Sequence, residues 1–369
     1  MNRRETERVL AAIRMARQSG QRAALATVVR VRGNAYRREG ARIVVFEDGS
    51  YECLLSGGCL EPTVAEAAAH VIATGTPVLR QYDLEEDSVW SLGIGCSGAV
   101  DIYIERLDDD PVSRAWLEIL DNAEAAVLVR SLAGSGCRMI VREHEVLGSV
   151  GDATLDSQAV QRSRSRVDSP FVRSGVERVK GVDLFFEASV PPPELIIFGA
   201  GFDAVPLAQL GWELGFSVIV VDVREAFLRA DRFPHATLVS AHFSRFPEAL
   251  RLTRRSFVIT MNHHLERDRE SLRFALSSSC SYIGVLGPRS RFQKLLAALE
   301  GEGAVLDPCV LSRVRSPVGL ALGAETPEEI AVSILGEIVA LQNGFDAGFL
   351  TGRESGLHLP SRASSFARS

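Results

Sequence analysis

Apolar residues at Val9, Leu10, Ile13 and Met15 recur at helical spacing and are broken by Arg14 and Arg17. Residues 5–18 are therefore predicted as an amphipathic opening helix, without the uninterrupted apolar run of a signal peptide. Two β-rich stretches follow, 24–31 and 42–46, the second leading into Glu47-Asp48-Gly49-Ser50. Asp-Gly between apolar runs predicts a hairpin, with 51–55 as its return strand. Pro62 suits the first turn of a helix over 63–73 that Gly75 ends. Strands at 78–82, 99–105, 126–131, 138–141 and 182–190, with a helix over 113–122, complete this half. Between them the run 161–166 is polar and basic with no apolar period. The stretch 150–181 therefore reads as a flexible connection or an exposed loop.

Pro191-Pro192-Pro193 is a stiff spacer and marks a boundary. Beyond it the pattern changes. Short, continuous apolar strands at 195–198, 217–221, 257–260 and 282–286 alternate with helical stretches, which implies a parallel sheet covered on both faces. Thr326-Pro327-Glu328-Glu329 is a capping box with proline at the first helical position, opening a last helix to about residue 341. The expected fold class is α/β: an N-terminal α+β domain over 1–190, then a Rossmann-like, doubly wound parallel-sheet domain over 191–352. The Ser/Arg-rich tail 353–369 is expected to be disordered.

Composition narrows the function classes. The 369 residues carry 41 Lys+Arg against 47 Asp+Glu, a net charge of −6, which does not suit nucleic acid or an anionic membrane as the main partner. No apolar run is long enough to span a bilayer, which needs about 18 residues. The six cysteines form no C-x-x-C pair, so neither a zinc knuckle nor a disulfide scaffold is suggested, and free thiols in a reducing, cytoplasmic setting are expected.

Three groups of residues carry candidate chemistry. Gly199-x-Gly201-x-x-Ala204 follows a buried strand and fits the dinucleotide fingerprint, with Asp222 ending the next strand where an acidic group would meet a ribose. The alternative is that the glycines do no more than close a strand–helix turn, and Asp203 lies where a pyrophosphate would need the helix amides and dipole. His263 and His264 follow a later strand of the same sheet, a place for acid/base work or ligation, and Arg289 and Arg291 flank the next helix start. In the first half, Cys59 follows Gly57-Gly58, and Cys96 lies in Gly93-Ile94-Gly95-Cys96-Ser97-Gly98. Glycines beside a cysteine remove bulk and leave backbone N–H groups to face a ligand, and Cys59 precedes a helix N-terminus whose field favours thiolate. Such loops suit a phosphate-bearing cofactor with a soft metal–sulfur centre; the alternative is two small apolar residues at tight turns. Arg37, in another glycine-bounded loop, is available to a phosphate.

Taken together these motifs resemble the xanthine dehydrogenase accessory protein family (XdhC/CoxI). In the first half the resemblance rests on Gly40-Ala41, Ser56-Gly57-Gly58-Cys59-Leu60-Glu61 and Leu92-Gly93-Ile94-Gly95-Cys96-Ser97-Gly98. In the second it rests on Phe198-Gly199-Ala200-Gly201, Val221-Asp222-Val223-Arg224, Tyr282-Ile283-Gly284-Val285-Leu286-Gly287 and the run from Pro317 to Ala331. The resemblance implies a chaperone that binds molybdenum cofactor (molybdopterin), protects it during sulfuration and delivers it to a molybdenum hydroxylase client, with a cysteine desulfurase as a further partner and a homodimer as its state. It makes Cys59 and Cys96 the candidate metal and cofactor contacts. Ser97 and Phe202 depart from the family's usual residues. The chain is too short, and lacks the cysteine clusters, to be a molybdenum–iron–sulfur dehydrogenase itself. A second reading, an NAD(P)-dependent oxidoreductase with His263 or His264 as acid/base, stays open on the glycine turn and Asp222.

Overall fold

The computed structural model describes residues 3–33, 35, 37–83, 98–134, 136–167 and 172–351. The chain divides into two compact units, one ending at Pro191 and the other spanning Pro192–Phe349. The expectations for Gly95, Cys96 and the tail 353–369 fall outside the described residues.

In the first unit, α1 (Arg3–Ser19) precedes β1 (Ala23–Gly33), β2 (Arg42–Phe46), β3 (Tyr51–Glu52), α2 (Glu61–Thr74), β4 (Val78–Asp83) and β5 (Gly98–Arg106). The strands form an antiparallel sheet in the order β3-β2-β1-β5-β4. Period-two alternation explains why β1 reads as continuously apolar: Ala24, Ala26 and Val28 pack with Val64, Ala68 and Val71 of α2, whereas Ala23 and Leu25 pack with Val9, Ile13 and Ala16 of α1. The Asp-Gly hairpin forms, with Gly49 at φ 84 and the Phe46 amide donating to the Ser50 carbonyl. Its return strand stops at Glu52, short of the expected residue 55, because Cys53 takes a left-handed φ of 73 that no ladder accommodates.

A second antiparallel sheet follows. The chain continues through α3 (Pro111–Asp121), β6 (Ala126–Ser131), β7 (Arg138–Val141), β8 (Val146–Ser149), α4 (Ala153–Val167), β9 (Gly175–Val179) and β10 (Val182–Ser189), with strand order β8-β7-β6-β10-β9. Here the expectation of a polar connection or loop over 150–181 is corrected: α4 occupies 153–167 and β9 pairs with β10. The apolar stripe of α4 is narrow and made of small residues, with Leu155, Ala159 and Ser163 buried four apart. The basic residues that suggested a loop lie on its outer face, where Arg162 and Arg166 both reach Glu177 of β9. Asp152 accepts from the Thr154 and Leu155 amides and starts the helix.

The second unit comprises β11 (Glu194–Phe198), α5 (Ala204–Glu213), β12 (Ser217–Asp222), β13 (Ala236–Ser240), α6 (Phe246–Ala249), β14 (Ser256–Thr260), α7 (Leu265–Leu276), β15 (Tyr282–Val285), α8 (Arg289–Gly301), α9 (Pro308–Leu311), β16 (Val314–Arg315) and α10 (Pro327–Asn343). Its six strands are all parallel, in the order β13-β12-β11-β14-β15-β16. The order reverses between β11 and β14, which is the Rossmann arrangement with its switch point there. Alternate residues of each strand face opposite layers. Leu195, Ile197, Val218 and Ile259 pack with Leu207 of α5 and Ile334 of α10. Ile196, Phe198, Val258 and Ile283 pack with Leu272 of α7 and Leu295 of α8. The capping box of α10 is present, Thr326 and Glu329 exchanging side-chain and backbone hydrogen bonds. Among the described residues no helix is long and apolar enough to cross a membrane.

Candidate functional site

The Cys59 loop joins β3 to α2 and is organised from beneath by two buried residues. The Ser56 hydroxyl donates to Glu61 Oε2 at 2.6 Å and accepts from the amides of Gly58, Cys59 and Leu60 at 3.2, 3.1 and 3.1 Å. Glu61 Oε1 accepts from the Leu55 and Ser56 amides at 2.8 and 2.7 Å. Burial works to raise the Glu61 pKa, but these hydrogen bonds outweigh it and hold the carboxyl below its ordinary range. Its contribution to stability is therefore present above the usual carboxylate pKa and fades as pH falls through the lowered value. Gly57, Gly58 and Cys59 are left exposed on top of this anchor. Gly58 has φ 110, and a Cβ at either glycine would meet nothing within 4 Å, so the thiol has open space beside it. The expectation that both glycine amides face a ligand is corrected at Gly58, whose N–H is taken by Ser56. Ser56→Ala would leave Glu61 and three amides short of a partner. It is expected to destabilise the protein by about 1–3 kcal/mol, read as a fall in melting temperature.

Arg37 is engaged by Glu5 of α1. Among the described residues five cysteines form no disulfide: Cys59 and Cys309 are exposed, Cys280 is buried, and Cys53 and Cys137 are half-buried.

At the carboxyl ends of the parallel strands, Gly199 has φ 115 and a Cβ there would lie 2.5 Å from the Met261 carbonyl oxygen, so only glycine lets the ends of β11 and β14 pass. Asp222 ends β12 and is buried. Its Oδ2 accepts from the Ala200 amide at 2.8 Å and from Arg224 at 2.7 Å, and its Oδ1 accepts from the Arg224 amide and Nε at 2.8 and 3.0 Å. Burial opposes ionisation here, and the hydrogen bonds from Arg224 and the Ala200 amide outweigh it, keeping the pKa low. Asp203, at the N-cap of α5, caps no amide; its carboxylate meets His263 Nε2 at 2.6 Å. His263 holds this position with a left-handed φ of 56, a conformation costly for a non-glycine residue. Gly201 lies against the same pair, since a Cβ there would fall 2.4 Å from Asp203 Oδ1 and 3.9 Å from the His263 ring.

Gly199, Gly201, Asp222 and His263 thus lie at the carboxyl ends of the interior strands β11, β12 and β14, while Arg289 stands exposed at the first position of α8. The arrangement is unlike an open dinucleotide cradle. The Ala200 amide and both Asp222 oxygens are engaged, and the Asp203 charge sits at the helix N-terminus. Calorimetric titration with NADH or NADPH is accordingly expected to show no saturable binding below about 1 mM; a micromolar dissociation constant would overturn this.

Sequence reasoning missed the parts that hold these groups. Ser56 and Glu61 stood in the motif without a role, although a serine ahead of two glycines is a turn signal. Arg224 likewise stood in a motif without a role, and Arg232 was given none. Arg232 donates to the Gly201 and Phe227 carbonyls, and its guanidinium lies 5.1 Å from the ring of Phe202, which is 81% exposed. Among the described residues no group of three or more His, Cys, Asp or Glu could hold a metal ion.

Comparison with known proteins places the chain. The family model described as "XdhC Rossmann domain" matches residues 195–338, and that described as "XdhC and CoxI family" matches 16–83. A Bacillus subtilis (strain 168) protein, named as a probable subunit of xanthine dehydrogenase, is 34% identical over 324 residues, covering 86% of this chain and 93% of that protein. The "Molybdenum cofactor insertion chaperone PaoD" of Escherichia coli (strain K12) is 24% identical over 325 residues, covering 88% and 85%. A crystal structure described as a xanthine dehydrogenase from Bacillus halodurans superposes with a TM-score of 0.73 at 28% identity, covering 91% of this chain and 96% of that one. With both halves matched by their family models and a relative aligned across nearly its whole length, the chain belongs to the XdhC and CoxI family.

Proposed function

We propose that this chain is a molybdenum cofactor chaperone: it binds the cofactor, shields it during sulfuration and inserts it into a xanthine dehydrogenase-type molybdenum hydroxylase. The observation that carries the reading is the Cys59 loop, in which two buried side chains anchor an exposed thiol that follows two open glycines. The relative named as a molybdenum cofactor insertion chaperone supports it from outside. The donor chemistry fits the group. A soft metal that carries its own sulfur ligands needs a protein thiol, not a cage of carboxylates and histidines. Cys59 would hold it, with Cys96 as the second contact. The cofactor would supply a sulfur-rich redox centre destined for the client. The chain's own residues would keep the thiol presented, through Ser56 and Glu61, and would fix the loop so that little ordering is needed on binding.

A cysteine desulfurase as sulfur source, a homodimer as the working form and the cytoplasm as its place belong to the same proposal. The oxidoreductase reading is weaker, because Asp203 and the Asp222–Arg224 pair stand where a dinucleotide would need amides and a free carboxylate. The test is purification of the full chain from a molybdate-replete host, followed by metal and pterin analysis. Molybdenum and pterin near one per chain are expected. Protein free of pterin under conditions that load a molybdenum hydroxylase in the same cells would sink the proposal.

A further inference from the structure

Beside the switch point of the parallel sheet lies a cavity of about 290 Å³, near the lower end of small-ligand pockets, which run roughly 300–1,000 Å³. Its apolar lining is Phe198, Val221 and Phe246, from the ends of β11 and β12 and the start of α6. Its polar lining comes from the segments after β12, β13 and β14: Asp222, His242, Asn262, His264 and Arg267.

Three features of that lining point to one ligand class. The first is Arg267, in the first turn of α7. It is half-buried, lines the cavity, and has no hydrogen bond or ion pair with any described residue. The neighbouring arginines are committed, Arg224 to Asp222 and Arg291 to Asp268. A guanidinium left unpaired at a cavity wall is suited to a phosphate, which its planar fork grips in a fixed orientation. Of the two carboxylates at this cavity, Asp222 is neutralised by Arg224 and Glu266 is exposed.

The second is Asn262, whose orientation is dictated by chemistry. Asp268 is buried, receives Arg291 at 2.6 Å, and accepts from both the backbone amide and the Nδ2 of Asn262 at 2.9 and 3.0 Å. A carboxylate only accepts, so the Asn262 amino group must face it. What Asn262 has left to offer is its carbonyl oxygen, an acceptor for an exocyclic amino group or a ring N–H. The third is the pair of aromatic surfaces. Phe198 and Phe246 lie 4.8 Å apart, tilted by 46°, at the apolar wall, and the rings of His242 and Phe243 lie 3.9 Å apart, tilted by 36°, where the chain leaves β13. Flat faces of this kind suit a heterocyclic base.

We propose that this cavity is a nucleoside monophosphate site, taking the base against Phe198 and Phe246 and the phosphate at Arg267. It is independent of the Cys59 loop and does not rest on the function assigned to it. It also differs from dinucleotide binding across the glycine turn, since no phosphate is required at the Ala200 amide. A second depression, lined by Pro206, Leu210, Leu322, Glu328, Glu329 and Val332, offers two carboxylates and no cation, and is unsuited to the same ligand.

The test uses the full chain, with AMP, CMP, adenosine and inorganic phosphate titrated separately by calorimetry. AMP or CMP is expected to bind saturably, with adenosine and phosphate alone each weaker by about tenfold or more, the scale of losing one charged hydrogen-bonded contact. Arg267→Gln is expected to weaken the monophosphate by about tenfold while leaving adenosine unchanged. Val223→Trp, at a half-exposed position on the lining, is expected to abolish binding with an unaltered melting temperature. Absence of saturable binding by both monophosphates overturns the proposal. So does binding that survives Val223→Trp in the folded protein, which would place the ligand elsewhere, and so does phosphate alone binding as well as AMP, which would make this a plain anion site.

Discussion

Glu187→Ala is expected to lower stability by about 3–5 kcal/mol, the scale found when one member of a buried ion pair is removed and its partner stays charged. Between the two sheets of the first unit, Glu187 of β10 reaches both Arg42 of β2 and Arg130 of β6, and Arg130 also contacts Glu105 of β5 at 2.6 Å. Arg42, Arg130 and Glu187 are all buried. Burial above all, with the nearby Arg130 guanidinium second, pushes the Arg42 pKa down to about 9, so it still carries its charge at neutral pH. Without Glu187, Arg42 keeps that charge in a dry place with its paired carboxylate gone, whereas Arg130 retains Glu105. For a unit of this size the melting temperature should fall on the order of 10 °C. The double variant Arg42→Met with Glu187→Leu removes both charges and should regain much of the loss, because well-packed apolar replacements of buried pairs are commonly neutral or better. Thermal unfolding of the two variants decides the matter. A melt for Glu187→Ala within a degree or two of the parent would show that water or rearrangement satisfies Arg42.

Nothing in the local sequence announces this cluster. Glu105, Arg130 and Glu187 each lie in strands legible from their apolar neighbours, but which charges meet depends on how two sheets face each other. The same limit recurs elsewhere. The Rossmann half was readable because buried parallel strands are continuous apolar runs and because the glycine turn and the α10 capping box are local backbone solutions, as is the Asp-Gly hairpin of the first half. The α4 helix was not, since its buried stripe is one leucine, one alanine and one serine, and its arginines find their partner Glu177 only after the chain returns as β9. The edge strand β13 has two exposed and three half-buried residues and lacks the apolar run of its neighbours. At the candidate site, the exposed thiol and its glycines were evident. The engagement of Gly58 by Ser56, of Arg37 by Glu5 and of Asp222 by Arg224 was not, because a motif gives residue types and leaves open which hydrogen bonds they have already made.

Cys59→Ser is expected to reduce bound molybdopterin per chain by at least about tenfold, since loss even of groups that merely support a metal ligand weakens binding roughly 10–100-fold. The swap keeps the size of the side chain and replaces a soft, ionisable sulfur with a hard, neutral hydroxyl. Cys59 is exposed, and its backbone amide, not its sulfur, holds the loop through Ser56, so the melting temperature should barely move. Cys309 provides the matched control. It too is exposed, on the short helix α9, where its amide is capped by Asp307, and Cys309→Ser should leave cofactor content unchanged. Cys96→Ser should fall in the same direction as Cys59→Ser. Ser56→Ala separates presentation from ligation. It leaves the thiol in place but removes the hydroxyl that fixes the loop, so it should lower both the melt and cofactor retention, and retention less severely than Cys59→Ser. Molybdenum and pterin are measured per chain for the four variants purified from one molybdate-replete host, with thermal unfolding beside them. Full retention in Cys59→Ser with an unchanged melt would show that this thiol is only a small residue at a tight turn, and would move the cofactor contact away from the loop.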